Sequence, residues 1–319
     1  MTVATGGRIY QFTALTDLWT GGADGKPDRL ISTGLLGSIR WWFEVLVRGL
    51  GGGACDPTDT KCEDRNHCVV CELFGCTGWA RKFRFEVLDE NGNIKTKQIK
   101  GPDQNKQRQG ETFSLRFTPL RPIGSEEWAL LNAALHLIAE FGAIGGKTVF
   151  KPTDESSRTS KLHHKDYGLV EMATSQEFDG TGHGDLKTYL SKWRKPDHDG
   201  FAWASLQYFW CVNGKYLGRQ DSNRSTFNLA LGRQEAKNQA QQLVNRNDQV
   251  AKWLAGSQQE SKRIFSFKKP ARTFGFVKPD LTRFAEMKKR LREAWPDLQD
   301  DDFHEGPTLL NDLLQEDRS

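Results

Sequence analysis

Apolar and polar residues alternate through "RIYQFTALTDLW" (8–19), which predicts a half-buried strand, and the glycine, proline and charge of "TGGADGKPDR" close it with a loop. Helical spacing follows. Leu35, Ile39, Trp42, Leu46 and Leu50 fall on one face, so a helix is predicted from Ser32 or Thr33 to the Gly51–Gly53 run. "ARKFRFEVLDENGNIKTKQI" reads as strand, Asn91-Gly92 turn and strand. After the polar loop "GPDQNKQRQGE", "TFSLRFTPL" alternates again, and "SEEWALLNAALHLIAEFG" predicts a helix with acids in its first turn and Gly142 at its end. Strand, helix, hairpin, strand, helix is the order of an α+β domain of the ferredoxin-like kind.

Past this point the pattern is less regular. "KPTDESSRTSKLHHKDYG" is a long polar surface loop whose adjacent His163 and His164 point to opposite sides if extended, so they do not share a ligand. Residues 171–200 are short polar and helical pieces, and "FAWASLQYFWCV" is a buried strand that opens a second core. Two domains are expected, 1–170 and 171–319.

Five of the six cysteines lie between residues 55 and 76, as a disulfide staple or as a metal site. A chain of 319 residues buries enough apolar surface to fold without disulfides. The N-terminus lacks the features of a secretory signal and no eighteen apolar residues run together, so a cytoplasmic protein with reduced thiols and no membrane partner is expected. Cys68 and Cys71 form a C-x2-C knuckle, and Cys55 and Cys62 complete a tetrahedron suited to structural Zn2+ in the loop 54–76. Cys76 is then the spare and His67 the alternative ligand; reduced cysteines without metal are the plainer reading. A redox C-x-x-C fits less well, because "VV" and the following "ELFGC" are not expected to open the helix such a motif caps.

The net charge of +4 conceals a segregation. Residues 215–293 hold eighteen Lys or Arg against seven Asp or Glu, whereas 296–319 hold eight acids and one arginine. Interleaved with Trp253, Phe265, Phe267, Phe274 and Phe276, the basic stretch suits a groove that tracks RNA; the alternative is a solvated helix, "RQEAKNQAQQLVNRNDQVAKWLAG", followed by strands with aromatics in a core. So many like charges need a polyanion or an acidic partner. On the first helix Arg40, Glu44 and Arg48 stand at i, i+4 beside Trp41, either to meet phosphates and a base or as a solvated ion-pair face. "FGAIGGKTVFKP" is not a P-loop, since Phe141 stands where the first glycine belongs and a helix precedes it. Gly142, Gly145 and Gly146 still permit close backbone approach, and Lys147 supplies a point charge.

"TGLLGSIRWWFEVLVRGLGGG", the knuckle followed by "CELFGCTGWARKFRF", and "LHLIAEFGAIGGKT", in this order, resemble the first RAMP subunit of type III-B (Cmr) CRISPR effector complexes, over roughly residues 8–170. The second half matches less clearly. The resemblance implies tandem ferredoxin-like (RRM-like) RAMP domains with a zinc-binding loop inserted in the first. It also implies guide RNA, target RNA and other Cmr subunits as partners, a place at the end of the effector that holds the 3′ portion of the guide, and no cutting of target RNA. Arg29, Arg40, Trp41, Arg48, Arg81, Gly145, Gly146 and Lys147 lie in or beside the matching segments and are the RNA-binding candidates. The runner-up is a metal-dependent endoribonuclease using Asp17, Asp24 and Asp28, and a protein-interaction module is third.

Overall fold

Strand pairing in the computed structural model gives two four-stranded antiparallel sheets. The described residues are 7–21, 25–56, 62–63, 66–103, 108–146, 152–159, 161–173, 183–196, 200–221, 223–236, 242–256 and 262–314. The chain divides into two units: Met1–Lys147 with Tyr167–Gln207 and Pro307–Ser319, and Thr148–Asp166 with Tyr208–Gly306.

The first unit runs β1 (Arg8–Ala14), α1 (Ser32–Gly49), α2 (Val69–Phe74), β2 (Phe83–Leu88), β3 (Thr112–Pro119), α3 (Ser125–Glu140), β4 (Val170–Met172) and α4 (His183–Ser191). Its sheet order is β2-β3-β1-β4, the ferredoxin-like arrangement. Register follows the period of two: Tyr10 lies opposite Leu115 and Phe12 opposite Phe113, so their side chains share one buried face. α1 packs on α3. The ring of Trp42 passes so close to Gly142 that a Cβ there would stand 2.6 Å from it, and Trp42 Nε1 donates to the Ala143 carbonyl at 2.8 Å.

The predicted hairpin at Asn91-Gly92 forms its turn, but the returning arm leaves β2 after the Leu88–Ile94 bridge and pairs instead near Arg29 through a bridge at Lys97. The arm "NIKTKQ" has little apolar surface to hold against the sheet, and Ile94 is exposed.

The second unit runs β5 (Phe209–Asn213), α5 (Thr226–Ala230), α6 (Gln249–Ala255), β6 (Ile264–Lys268), β7 (Ala271–Phe276), α7 (Phe284–Ala294) and β8 (Phe303–Glu305), after which α8 (Gly306–Leu313) follows. The order β6-β7-β5-β8 repeats the ferredoxin-like pattern. Trp210 stacks on Phe303 at 5.5 Å, with Phe227, Leu254, Met287 and Leu291 in the same core. Phe267, Phe274 and Phe276 are buried, as the core reading of the aromatics expects. "FAWASLQYFWCV" is strand only in its last part, because turns and a short 3-10 helix occupy 201–208. The helix read over 233–256 is confined among described residues to α6, where Asp248 caps by accepting from the Ala251 N–H at 2.9 Å. No described helix is long and apolar enough to cross a membrane.

Candidate metal centre and nucleic-acid interface

Phe74, at the end of α2, packs edge-on against Phe43 of α1 at 5.1 Å and against Phe83 of β2 at 5.5 Å. This apolar anchor seats the cysteine segment on the first core and explains why α2 forms although only six residues long. The expectation that no helix opens at the knuckle is therefore corrected: α2 begins at Val69, directly after Cys68.

Cys55, Cys62, Cys68 and Cys71 converge there, all buried, with their sulfurs within 4.8 Å of one another. Cys55 Sγ is 3.2 Å from Cys71 Sγ and 3.7 Å from the sulfurs of Cys62 and Cys68. Thiolates about 2.3 Å from a tetrahedral cation stand about 3.8 Å apart, so the donor set fits a metal ion with four sulfur ligands and no open position. Cys68 is drawn below the ordinary thiol range by its hydrogen bonds with the Cys55 and Cys71 side chains. Cys55, through its bond to Cys68, and Cys71, through its bonds to Cys55 and Cys68, are pushed above that range. Crowded bare thiols resist multiple ionisation; a divalent cation lets all four serve as thiolates.

The surroundings supply positive charge and direction. Arg40 Nη2 donates to Cys71 Sγ at 3.4 Å and Arg194 Nη1 to Cys62 Sγ at 3.6 Å, while the Cys68 N–H donates to Cys62 Sγ at 3.2 Å. The two residues held open as alternative ligands are engaged elsewhere. His67 Nδ1 lies 3.4 Å from Glu72 and its ring packs on Trp79, and Cys76 Sγ points at the Cys62 carbonyl at 3.5 Å. Glu72 in turn meets Lys82 at 3.1 Å, which also reaches Glu127 of α3 at 2.9 Å. Arg194 was not singled out from the sequence, and no local signal marks it, since 132 residues separate it from Cys62.

The RNA-binding candidates occupy unlike settings. Arg40 donates to Glu44 at 3.1 Å and to the Gly75 carbonyl at 2.6 Å besides its sulfur contact. Glu44 and Arg48 are buried, and Arg48 donates to the carbonyls of Ala54 at 3.2 Å and Ala204 at 3.4 Å. The Arg40, Glu44 and Arg48 strip is thus an internal tie of the first unit, not a solvated face. Burial pushes the Glu44 carboxyl up against the opposing pull of both arginines. Arg29 is exposed, and Trp41 is half-buried with its ring edge-on to Trp42 at 4.8 Å. Arg81 is half-buried and donates through Nε to the Phe83 carbonyl at 3.0 Å. Gly145 takes φ +126° and its N–H meets Ser38 Oγ at 3.1 Å; the Gly146 N–H meets the Trp19 carbonyl at 2.9 Å. These amides hold the loop to α1 and to the strand-exit loop. Lys147 lies outside the described residues, as does Asp24. Asp28 is exposed, and Asp17 accepts from Lys100 Nζ at 3.2 Å and the Gly101 N–H at 2.9 Å.

Residues 11–150 match the family model "RAMPs: RAMP superfamily". No curated protein matches the chain. Among solved structures it is similar to Cmr1 from Pyrococcus furiosus in its apo form, at 9% identity, over 90% of this chain and 96% of that one, with a TM-score of 0.45. A chain of the type III-B Cmr-beta complex bound to cognate target RNA is similar at 13% identity, over 61% and 59%, TM-score 0.34. A chain of the Csm3-Csm4 subcomplex of the type III-A CRISPR-Cas interference complex is similar at 14%, over 61% and 100%, TM-score 0.26. The match to the RAMP superfamily model, over residues 11–150, falls on the stretch of roughly 8–170 that carries the motif resemblance.

Proposed function

We propose that this protein is a non-catalytic RNA-binding subunit of a type III-B CRISPR effector complex, holding the 3′ region of the guide RNA or its target duplex in antiviral defence. The observation that carries the reading is the RAMP match over residues 11–150, the stretch that also bears the tryptophan pair, the "CELFGCTGWARKFRF" block and the glycine loop. Within it Arg29, Arg81 and Lys147 neutralise phosphates, and Trp41 offers an aromatic face. Gly145 and Gly146, which precede Lys147 in the chain, tie their loop to Trp19 and Ser38. Arg40 and Arg48 serve by fixing α1 under that surface.

The metal in this reading is zinc, held by Cys55, Cys62, Cys68 and Cys71. Four thiolates leave no position for substrate, so zinc would order the segment and supply no reaction step.

Binding governed by phosphate contacts is indifferent to sequence and falls steeply with salt. The test is labelled single-stranded RNA with Mg2+ or Mn2+. Retarded, uncut RNA supports the proposal, and metal-dependent fragments would establish the endoribonuclease instead. RNA that is neither retarded nor cut at low salt would leave the interaction module.

A further inference from the structure

α7 opens without a side-chain cap. The amides of Phe284, Ala285 and Glu286 therefore have no acceptor among the described residues, and the helical ladder begins only where the Met287 N–H donates to the Arg283 carbonyl at 3.1 Å. Further along the helix the cations are answered: Lys288 meets Glu305 at 3.2 Å, Arg290 meets Asp248 at 2.6 Å, and Arg292 meets Asp300 at 2.9 Å. Arg283, the exposed N-cap residue, meets no carboxylate among the described residues. Free amides and a free guanidinium at a helix start attract an anion.

A second feature marks this helix start. It borders a cavity of about 720 Å³, within the size range of small-molecule sites. Thr282, just before the N-cap, lines that cavity; it is 5% exposed, and its hydroxyl has no hydrogen-bond partner among the described residues. The Leu281 and Thr282 amides both donate to the Lys278 carbonyl, at 2.9 and 2.8 Å, so the backbone of this turn is satisfied and only the hydroxyl is left over. A buried hydroxyl without a partner is unfavourable, and it is expected where a bound group completes it.

The remaining walls restrict what carries the anion. Val250, Pro279 and Leu281 give the cavity an apolar side. Asp280, exposed at the same cavity, repels a bare phosphate but accepts from a hydroxyl or amino group. Glu286, the other acid there, is engaged by Arg290 at 3.0 Å. An anion joined to an apolar body that also bears donors satisfies all of these groups together.

We infer that the cavity at the start of α7 binds a nucleoside monophosphate. Its phosphate takes the first-turn amides, Arg283 and the Thr282 hydroxyl, its hydroxyl or amino donors take Asp280, and its base or ribose lies on the apolar side. The same group reaches the cavity as a free nucleotide or as a unit of an RNA strand, and the site does not depend on the RNA-binding reading above.

The experiment is calorimetric titration of the full chain with adenosine 5′-monophosphate, adenosine and inorganic phosphate. The nucleotide should bind saturably and each fragment more weakly. Arg283→Gln should weaken the nucleotide about tenfold, as loss of a charge-assisted contact does. Thr282→Val keeps the side chain's shape and should also weaken the nucleotide, while the unfolding midpoint of the free chain stays or rises, because the hydroxyl it removes has no partner there. A midpoint that falls with nucleotide affinity unmoved would assign Thr282 to the fold and overturn the site, and so would a wild-type chain that binds no nucleotide. Inorganic phosphate bound as tightly as the nucleotide would overturn the nucleoside assignment. Competition with labelled single-stranded RNA separates the two sources: RNA displaced by the nucleotide makes the ligand a unit of the strand, and RNA that stays bound makes it a free nucleotide. RNA retarded by a chain that binds no nucleotide overturns the site and keeps the RNA-binding reading; nucleotide bound by a chain that retards no RNA does the reverse.

Discussion

The Arg40 guanidinium donates to the sulfur of Cys71 at 3.4 Å and to the carbonyl of Gly75 at 2.6 Å, spanning from α1 to both ends of the turn after the knuckle. The helix that carries Trp41 is thereby tied to the thiol cluster. Replacing Arg40 with Gln leaves buried Glu44 with only Arg48, at 3.9 Å, as its counter-charge, and removing one partner of a buried ion pair costs up to roughly 3–5 kcal/mol. Urea unfolding should show a loss of that order, and Lys at this position should not restore it, because one ammonium cannot reproduce a fork reaching three acceptors. Unchanged stability with lost RNA affinity would instead place Arg40 at the nucleic acid.

Elemental analysis of purified protein should find about one zinc per chain, and none in Cys68→Ser combined with Cys71→Ser. Stripping the metal should lower the unfolding midpoint, since binding free energy at a closed site is folding free energy. Full stability without metal would return the cysteines to the plainer reading of reduced thiols.

Gly145 and Gly146 are adjacent but should respond differently to alanine. At Gly145 φ is +126° and a Cβ would stand 2.9 Å from the Trp19 carbonyl oxygen, whereas at Gly146 the nearest atom is 3.7 Å away. Gly145→Ala should cost about 1–3 kcal/mol and Gly146→Ala less than about 0.5 kcal/mol, read by thermal unfolding.

Asp166 in the second unit is pushed up to about 6 by burial, although the N–H groups of Lys268 and Lys269 donate to it at 3.0 Å. A carboxyl whose folded value exceeds its unfolded value of 3.8 contributes stability below about pH 4, and loses that contribution as pH rises through about 6. Relative to Asp166→Asn, the wild type should therefore lose on the order of 2 kcal/mol between pH 4 and pH 7. A difference independent of pH would remove the assignment.

Asp297, Asp300 and Glu305 answer Lys215, Arg292 and Lys288 across exposed ion pairs. Solvent screens such pairs, so their amides should barely move the unfolding midpoint. Freed cations should nevertheless tighten binding of RNA at low salt and steepen its salt dependence. Unaltered RNA affinity in the triple amide variant would show that this face stays away from the nucleic acid.

Short-range features were readable along the chain. The alternation of β1 and β3, the spacing of Leu35, Ile39, Trp42 and Leu46, and the acids opening α3 each act within one element, so local pattern sufficed for the first sheet and its helices. The four converging cysteines were legible for the same reason, because they lie within seventeen consecutive positions. Electrostatic roles were harder. Arg40 and Arg48 carry the i, i+4 signature of a surface strip, yet the segments that cover them begin at Ala54, Gly75 and Ala204.

By itself the sequence determined the βαββαβ order of the first unit, a thiol set spaced for one cation, and a basic stretch followed by an acidic one, since periodicity, spacing and composition are properties of neighbours. Only the tertiary structure decided which charges meet. It set Arg194 beside Cys62 and folded Asp297, Asp300 and Glu305 onto the basic stretch. Coulomb energy depends on distance in space, and the folded path brings together residues that no window of sequence contains.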